Sequence, residues 1–86
     1  MNNSRLIREV KKNLPLEATL EEINFESQTI LARKVSGEFV TWKFSNFAGE
    51  PISFFWGHYF SDDRKAALQD FYERVAKSST TLQSLL

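Results

Sequence analysis

The residue best suited to acid–base chemistry in this sequence is its single histidine, His58. Asp62 and Asp63 follow it at the start of a predicted helix, where either carboxylate can orient the imidazole. Nucleophilic catalysis also needs an activated hydroxyl or thiol, and the sequence has no cysteine and no Gly-x-Ser-x-Gly turn. We therefore interpret His58 as a structural histidine beside a helix cap, and we expect no catalytic residue and no enzymatic activity.

Metal and nucleotide sites are disfavoured by the same residue inventory. One histidine and no cysteine are too few ligands for a zinc site. Glu21-Glu22 and Asp62-Asp63 are adjacent pairs, whose carboxylates diverge on a strand or a helix instead of converging on one cation. The three glycines lie too far apart for a Walker A or dinucleotide-binding loop. We expect neither a metal nor a cofactor.

The aromatic residues are concentrated in the second half of the chain, with nine of the twelve between Phe39 and Phe60. If the even-numbered rings of this region face the helices, the odd-numbered rings lie on the other face of the sheet, and an exposed aromatic patch usually marks an interface. This pattern predicts binding to a protein, either a second copy or another chain. The predicted partner-binding residues are Phe39, Phe55, Tyr59 and Phe47. The alternative is a monomer in which a loop or the tail covers these rings.

The N-terminal segment offers a second surface, because its cations lie in one sector of a predicted helix. Such a stripe can contact phosphates, although a solvated amphipathic helix has the same appearance. The alternative function is therefore a nucleic-acid accessory protein. Its predicted binding residues are Arg5, Arg8, Lys11 and Lys12. The strand pattern that follows Pro15 argues against a helix-turn-helix, and the acidic sheet region disfavours base stacking.

Composition limits the class of protein further. Eighty-six residues with 42% hydrophobic and 26% charged side chains are typical of one globular domain, and the formal net charge is zero. Charges interrupt the N-terminus where a secretory signal needs an apolar run, and no stretch is long enough to span a bilayer. We expect a cytoplasmic protein with no membrane contact.

Two segments have the apolar spacing of amphipathic helices. The first ends before Pro15, and the second follows Ser61, which is suited to capping its first turn. These patterns predict helices over residues 4–14 and 62–77. Residues 78–86 form a tail that we expect to be either flexible or docked through its leucines.

The region between the helices, residues 18–60, has the period-two pattern of β-strands. Ser27-Gln28 and Ser36-Gly37 interrupt it at hairpin spacing, and glycine readily takes the positive φ of a tight turn. Residues 52–60 are aromatic on both faces, which is typical of a central strand.

The first strand changes parity, because Leu20 and the apolar residues before it are even-numbered while Ile23 and Phe25 are odd-numbered. A β-bulge or a late strand start would reconcile the two sets. The sequence as a whole predicts a small single α+β domain over residues 1–86 with the order α-β-β-β-β-α. Its antiparallel sheet has three or four strands, and both helices pack on one face.

Overall fold

The computed structural model describes the backbone of residues 3–85 and the side chains of residues 3–15 and 17–78. As the sequence predicts, its elements follow the order α-β-β-β-β-α in one compact domain. A short 3₁₀ turn, which was not predicted, follows the first helix. The elements are α1 (Asn3–Asn13), the 3₁₀ turn (Pro15–Glu17), β1 (Thr19–Asn24), β2 (Thr29–Arg33), β3 (Phe39–Phe44), β4 (Phe54–Tyr59) and α2 (Arg64–Leu85).

The four strands form an antiparallel meander in the order β1-β2-β3-β4. The predicted hairpins join the first three strands, and Gly37 takes a φ of +94° in the second turn. In the first turn, the Asn24 side chain accepts hydrogen bonds from the backbone N–H and the hydroxyl of Ser27. These turns fix the register that aligns β2 with both of its neighbours.

The predicted bulge in the first strand is present. Leu20 pairs with Ala32 and Glu22 pairs with Leu31, so Glu21 is an extra residue in β1. The bulge lets Leu20 and Ile23 contact the same hydrophobic cluster although their positions differ in parity. The parity change in the sequence therefore has a local backbone cause.

The two helices pack on opposite faces of the sheet, which corrects the prediction that both cover one face. Val10 of α1 belongs to a buried cluster with even-numbered residues of β2 and β3, including Ile30 and Trp42. Phe71 of α2 belongs to a second cluster with the odd-numbered Leu31. Adjacent strand residues point to opposite faces, so the clusters lie on the two sides of one sheet.

This three-layer arrangement explains why β2 and β3 are apolar on both faces. Their residues are almost all buried, while most residues of β4 are exposed. The prediction of a central strand over residues 52–60 is thus wrong, because β4 is an edge strand that pairs with β3. Ile52 precedes the strand and is buried in the α1 cluster.

Helix α2 begins and ends later than its apolar pattern predicts. Asp63, not Ser61, caps it, since the Asp63 carboxylate accepts a hydrogen bond from the backbone N–H of Ala66 at 3.0 Å. The helix continues past Lys77 through Leu85, where the sequence predicted a tail. The predicted docking of the terminal leucines lies outside the described side chains.

Within residues 3–85, neither helix has an apolar stretch that could cross a membrane.

Candidate functional site

The largest concentration of polar side chains around a cavity lies between α2 and β4, and we name it the α2–β4 cleft. Helix α2 packs over β2 and β3, so the edge strand β4 projects beyond it and forms one wall. The cavity has a volume of about 540 Å³, within the range of small-ligand pockets. Its lining residues are Glu26, Ser27, Lys43, Trp56, His58, Asp70, Glu73, Arg74, Lys77 and Ser78.

Asp70 connects α2 to two strands, β3 and β4. Its carboxylate accepts a hydrogen bond of 2.5 Å from the hydroxyl of Thr41, which is fully buried on β3. The same carboxylate lies 3.0 Å from Nδ1 of His58 on β4. Thr41 and His58 are directly opposite each other in the sheet, which is why one helical carboxylate reaches both.

The second nitrogen of His58 faces Arg74, with 2.8 Å between Nε2 and Nη2. A guanidinium can only donate, so Nε2 accepts this bond and the imidazole proton lies on Nδ1, where it is donated to Asp70. His58 therefore has no free nitrogen with which to activate a hydroxyl. The sequence placed its carboxylate partner at Asp62 or Asp63, but the partner is Asp70, which a helical turn brings over the strand.

Arg74 contacts both β4 and the neighbouring carboxylate of α2. Its Nη2 also donates to the backbone carbonyl of Trp56, and its Nε lies 3.6 Å from the Asp70 carboxylate. Nη1 of the same guanidinium is buried and has no hydrogen-bond partner within the described part of the chain. Burial lowers the pKa of Arg74, and the charge of Asp70 partly offsets this.

Lys43 of β3 forms the opposite side of the cleft. Its ammonium donates to the carbonyl of Ser27, to the hydroxyl of Thr29 and to the hydroxyl of Ser78, at 2.8, 2.9 and 3.1 Å. Burial lowers the pKa of Lys43, and the positive charge of Arg74 lowers it further. We call the partly buried charged side chains of the cleft its floor. The floor has two cations, Lys43 and Arg74, and one carboxylate, that of Asp70.

A second candidate surface adjoins the cleft at β4. Phe47, Phe55 and Trp56 are 67%, 39% and 72% exposed, and we name these three residues the aromatic edge surface. The rings of Phe55 and Trp56 meet edge to face with centroids 5.0 Å apart, and Phe47 and Phe55 line one shallow depression. Trp56 also lines the cleft, so the two surfaces are continuous.

A bulge in β4 decides which of the aromatic rings are exposed. Thr41 pairs with His58 and Lys43 pairs with Phe55, so Trp56 and Gly57 together oppose the single residue between Thr41 and Lys43. Trp56 takes a φ of +55° there. The bulge reverses the parity of β4 and turns Trp56 away from the α1 cluster, to which the buried even-numbered residues of β2 and β3 belong.

The four predicted partner-binding residues do not form one patch. Phe39 is 8% exposed and belongs to the core beneath α2, so it cannot be a surface anchor. Tyr59 pairs with Val40 on the α1 face, where its ring meets Trp42 edge to face at 6.4 Å. Phe55 of β4 and Phe47 in the loop before it remain exposed and line one pocket.

The predicted basic stripe on α1 has the expected exposure. All four of its cationic side chains, Arg5, Arg8, Lys11 and Lys12, are exposed. None of the ion pairs among the described side chains involves them. The stripe lies on the layer opposite α2, and thus away from the cleft.

Sequence reasoning missed Lys43, Asp70 and Arg74 as members of a site. One signal was present, because Asp70, Arg74 and Ser78 follow one another at intervals of four residues and so share a face of α2. This polar stripe borders the apolar stripe that includes Phe71. The pattern does not reveal which strand the stripe faces, and that depends on the side of the sheet to which α2 packs.

Among the described side chains, no group of three histidine or acidic residues is arranged to hold a metal ion. No protein-family model, curated protein or solved structure matches this chain.

Proposed function

We propose that this chain is a protein-interaction module that docks through the aromatic edge surface, with a second copy of itself as the first partner. The proposal depends on the exposure of Phe47, Phe55 and Trp56 in the edge strand β4 and in the loop that precedes it. Large aromatic rings supply most of the binding energy in many interfaces, because each buries a large apolar area with little loss of rotamer freedom.

The backbone of the edge strands favours docking by side chains over addition of another strand. Both edge strands contain a bulge, at Glu21 in β1 and at Trp56-Gly57 in β4. Bulges interrupt the regular row of backbone donors and acceptors that a new strand would need. The partner is therefore expected to pack against the exposed rings.

Charge supports self-association of this surface. The formal net charge is zero, so two copies experience no net long-range repulsion. A two-fold dimer brings the same patch of each copy together, and a patch of neutral rings is complementary to itself. The proposal includes a cytoplasmic location, with which the cysteine-free sequence is compatible.

The test is the solution mass at several protein concentrations, measured by light scattering behind a sizing column. We expect the mass to rise from monomer to dimer with concentration in the wild type. Trp56→Ala and Phe55→Ala should each weaken the dimer while leaving the circular dichroism spectrum unchanged. Tyr72→Ala is the matched control, since Tyr72 is 57% exposed but lies on α2.

A wild type that stays monomeric at every concentration would rule out self-association. Equal weakening by Tyr72→Ala and Trp56→Ala would show that general hydrophobicity, not the aromatic edge surface, drives association. In the monomeric case, a partner captured from a lysate by wild type and not by Trp56→Ala would retain the surface as a docking site. Capture of the same partner by both proteins would show that it does not bind the aromatic edge surface.

The exposed cations of α1, which form no ion pair with the described side chains, support a second candidate, binding to nucleic acid. It predicts retention on immobilised single-stranded or duplex DNA that falls steeply as salt increases, because each phosphate contact releases counterions. Replacing Arg5, Arg8, Lys11 and Lys12 together by glutamine should abolish retention. Retention that survives this change would eliminate the candidate.

A further inference from the structure

We propose that the α2–β4 cleft binds a small organic anion, whose carboxylate or phosphate group lies against Arg74 and Lys43 and whose apolar part packs on Trp56. The inference is independent of the aromatic edge surface as a docking site, although Trp56 is common to both. It depends on the charges of the side chains that line the cavity, on a buried N–H of Arg74 that has no acceptor among the described residues, and on the apolar wall and volume of the cavity.

The floor of the cleft has an excess of positive charge. Lys43 and Arg74 oppose the single carboxylate of Asp70, whose oxygens already accept bonds from Thr41 and His58. The other charged side chains that line the cavity, Glu26, Glu73 and Lys77, are all exposed to solvent. An anion that reaches the partly buried side chains therefore meets a net positive charge, because Asp70 can offset only one of the two cations. Burial lowers the pKa of Lys43, and the nearby positive charge of Arg74 lowers it further, which is consistent with this excess.

The unsatisfied donor is Nη1 of Arg74. Buried donors almost always have acceptors, and leaving one unpaired is unfavourable, most of all for a charged group. Nε and Nη2 of the same guanidinium are engaged by Asp70, Trp56 and His58, which holds the plane of the group fixed. A carboxylate or phosphate oxygen accepting from Nη1 would complete this guanidinium.

The apolar wall is supplied by Trp56. Its indole is 72% exposed and lines the cavity beside Lys43. Because the side chain is so exposed, its ring is available to the apolar part of a ligand. A ring or short chain attached to the anion would then cover the indole, and the cavity of about 540 Å³ has room for such a molecule.

The test is a titration followed by two-dimensional ¹⁵N–¹H NMR with three probes: sodium benzoate, inorganic phosphate and sodium chloride. We expect benzoate or phosphate to produce saturable shifts at the Trp56 indole N–H and at the amides of Ser27 and Ser78. The amides of α1 should not move, and chloride should produce no saturation. Saturation by benzoate identifies a carboxylate ligand, and saturation by phosphate identifies a phosphate ligand.

Arg74→Lys retains the positive charge and removes Nη1, so the affinity should fall by about tenfold or more. Lys65→Gln is the control, because Lys65 is exposed on α2 and does not line the cleft. If Arg74→Lys does not fold, Trp56→Ala provides the second measurement, and it should weaken binding of benzoate more than binding of phosphate.

Two results would overturn the proposal. The first is the absence of saturable shifts with both benzoate and phosphate. The second is an unchanged affinity in the folded Arg74→Lys protein. Phe47→Ala separates this site from the aromatic edge surface, since it should impair self-association and leave the anion titration unchanged.

Discussion

Asp70 is the residue on which the polar contacts of the cleft converge. It receives a hydrogen bond from the buried Thr41 hydroxyl and one from His58, and it pairs with Arg74 one helical turn away. The bond from Thr41 is the most sheltered of the three, because Thr41 has no exposed surface. A buried hydrogen bond to a charged group contributes more to stability than an exposed ion pair does.

Thr41→Val removes this donor and keeps the shape of the side chain. We expect the free energy of unfolding in urea to fall by about 1–3 kcal/mol, since a partly buried carboxylate loses its strongest donor. Thr41→Ser retains the hydroxyl and is the control, with a smaller loss from the missing methyl group. Equal losses in the two variants would assign the effect to packing.

Lys43 makes stability depend on pH in a predictable direction. Burial lowers its folded-state pKa, so the folded protein releases this proton at a lower pH than the unfolded chain does. Between the two pKa values the unfolded state holds more protons, and the free energy of unfolding rises with pH. Below the folded-state pKa the cost of burying the charged ammonium is fully present.

The measurement compares wild type with Lys43→Met by urea unfolding between about pH 7 and pH 10. The difference in unfolding free energy, wild type minus variant, should increase toward the alkaline end of this range. The subtraction cancels the contributions of the other lysines. A difference that stays constant or decreases would contradict the direction of the pKa shift.

At the level of elements, two backbone irregularities decide which side chains point where. The bulge in β1 was predictable, because apolar residues on both sides of it change parity. The bulge in β4 was not predictable from the sequence. Every residue from Phe54 to Phe60 except Gly57 and His58 is aromatic, so the sequence does not show where the apolar positions change parity. Gly57 is required there, because a Cβ would lie 2.7 Å from the indole nitrogen of Trp42.

The start of α2 offers a prediction at the same scale. Asp63→Ala should lower the free energy of unfolding by about 0.5–2 kcal/mol, because it removes the N-cap acceptor. Ser61 has a φ of +51° and makes no cap, so Ser61→Gly should stabilise the protein by about 1 kcal/mol. Thermal denaturation followed by circular dichroism measures both. A loss of unfolding free energy in Ser61→Ala equal to that in Asp63→Ala would contradict the assignment of Asp63 as the N-cap.

At the level of the whole molecule, one sheet separates two hydrophobic clusters. Val10 anchors the cluster under α1 and Phe71 the cluster under α2, while β2 and β3 contribute residues to both. If β2 and β3 unfold, the residues of both clusters become exposed. The two halves are therefore expected to unfold in a single cooperative transition.

Substitutions in the two clusters test this coupling. Val10→Ala and Phe71→Leu should each reduce the free energy of unfolding, by on the order of 1–2 kcal/mol. In each variant, tryptophan fluorescence and far-ultraviolet circular dichroism should report the same urea midpoint. Separate midpoints for the two probes would show that the clusters unfold independently.

The local properties of this protein were determined by its sequence: the order of elements, the first two hairpins, the bulge in β1 and the basic stripe of α1. Each depends on interactions between residues close in the chain, so a pattern of spacing and turn residues is sufficient to predict it.

The tertiary structure decided which face of the sheet each helix covers. That choice determines which side chains are buried and which strand residues meet the polar stripe of α2. An amphipathic stripe shows that a helix needs an apolar surface, but β2 and β3 offer one on each side. Placing α2 opposite α1 buried Phe39 and brought the polar stripe of α2 over Lys43, while the bulge in β4 left Trp56 exposed. These contacts join residues distant in sequence, and their geometry follows from packing of the whole sheet.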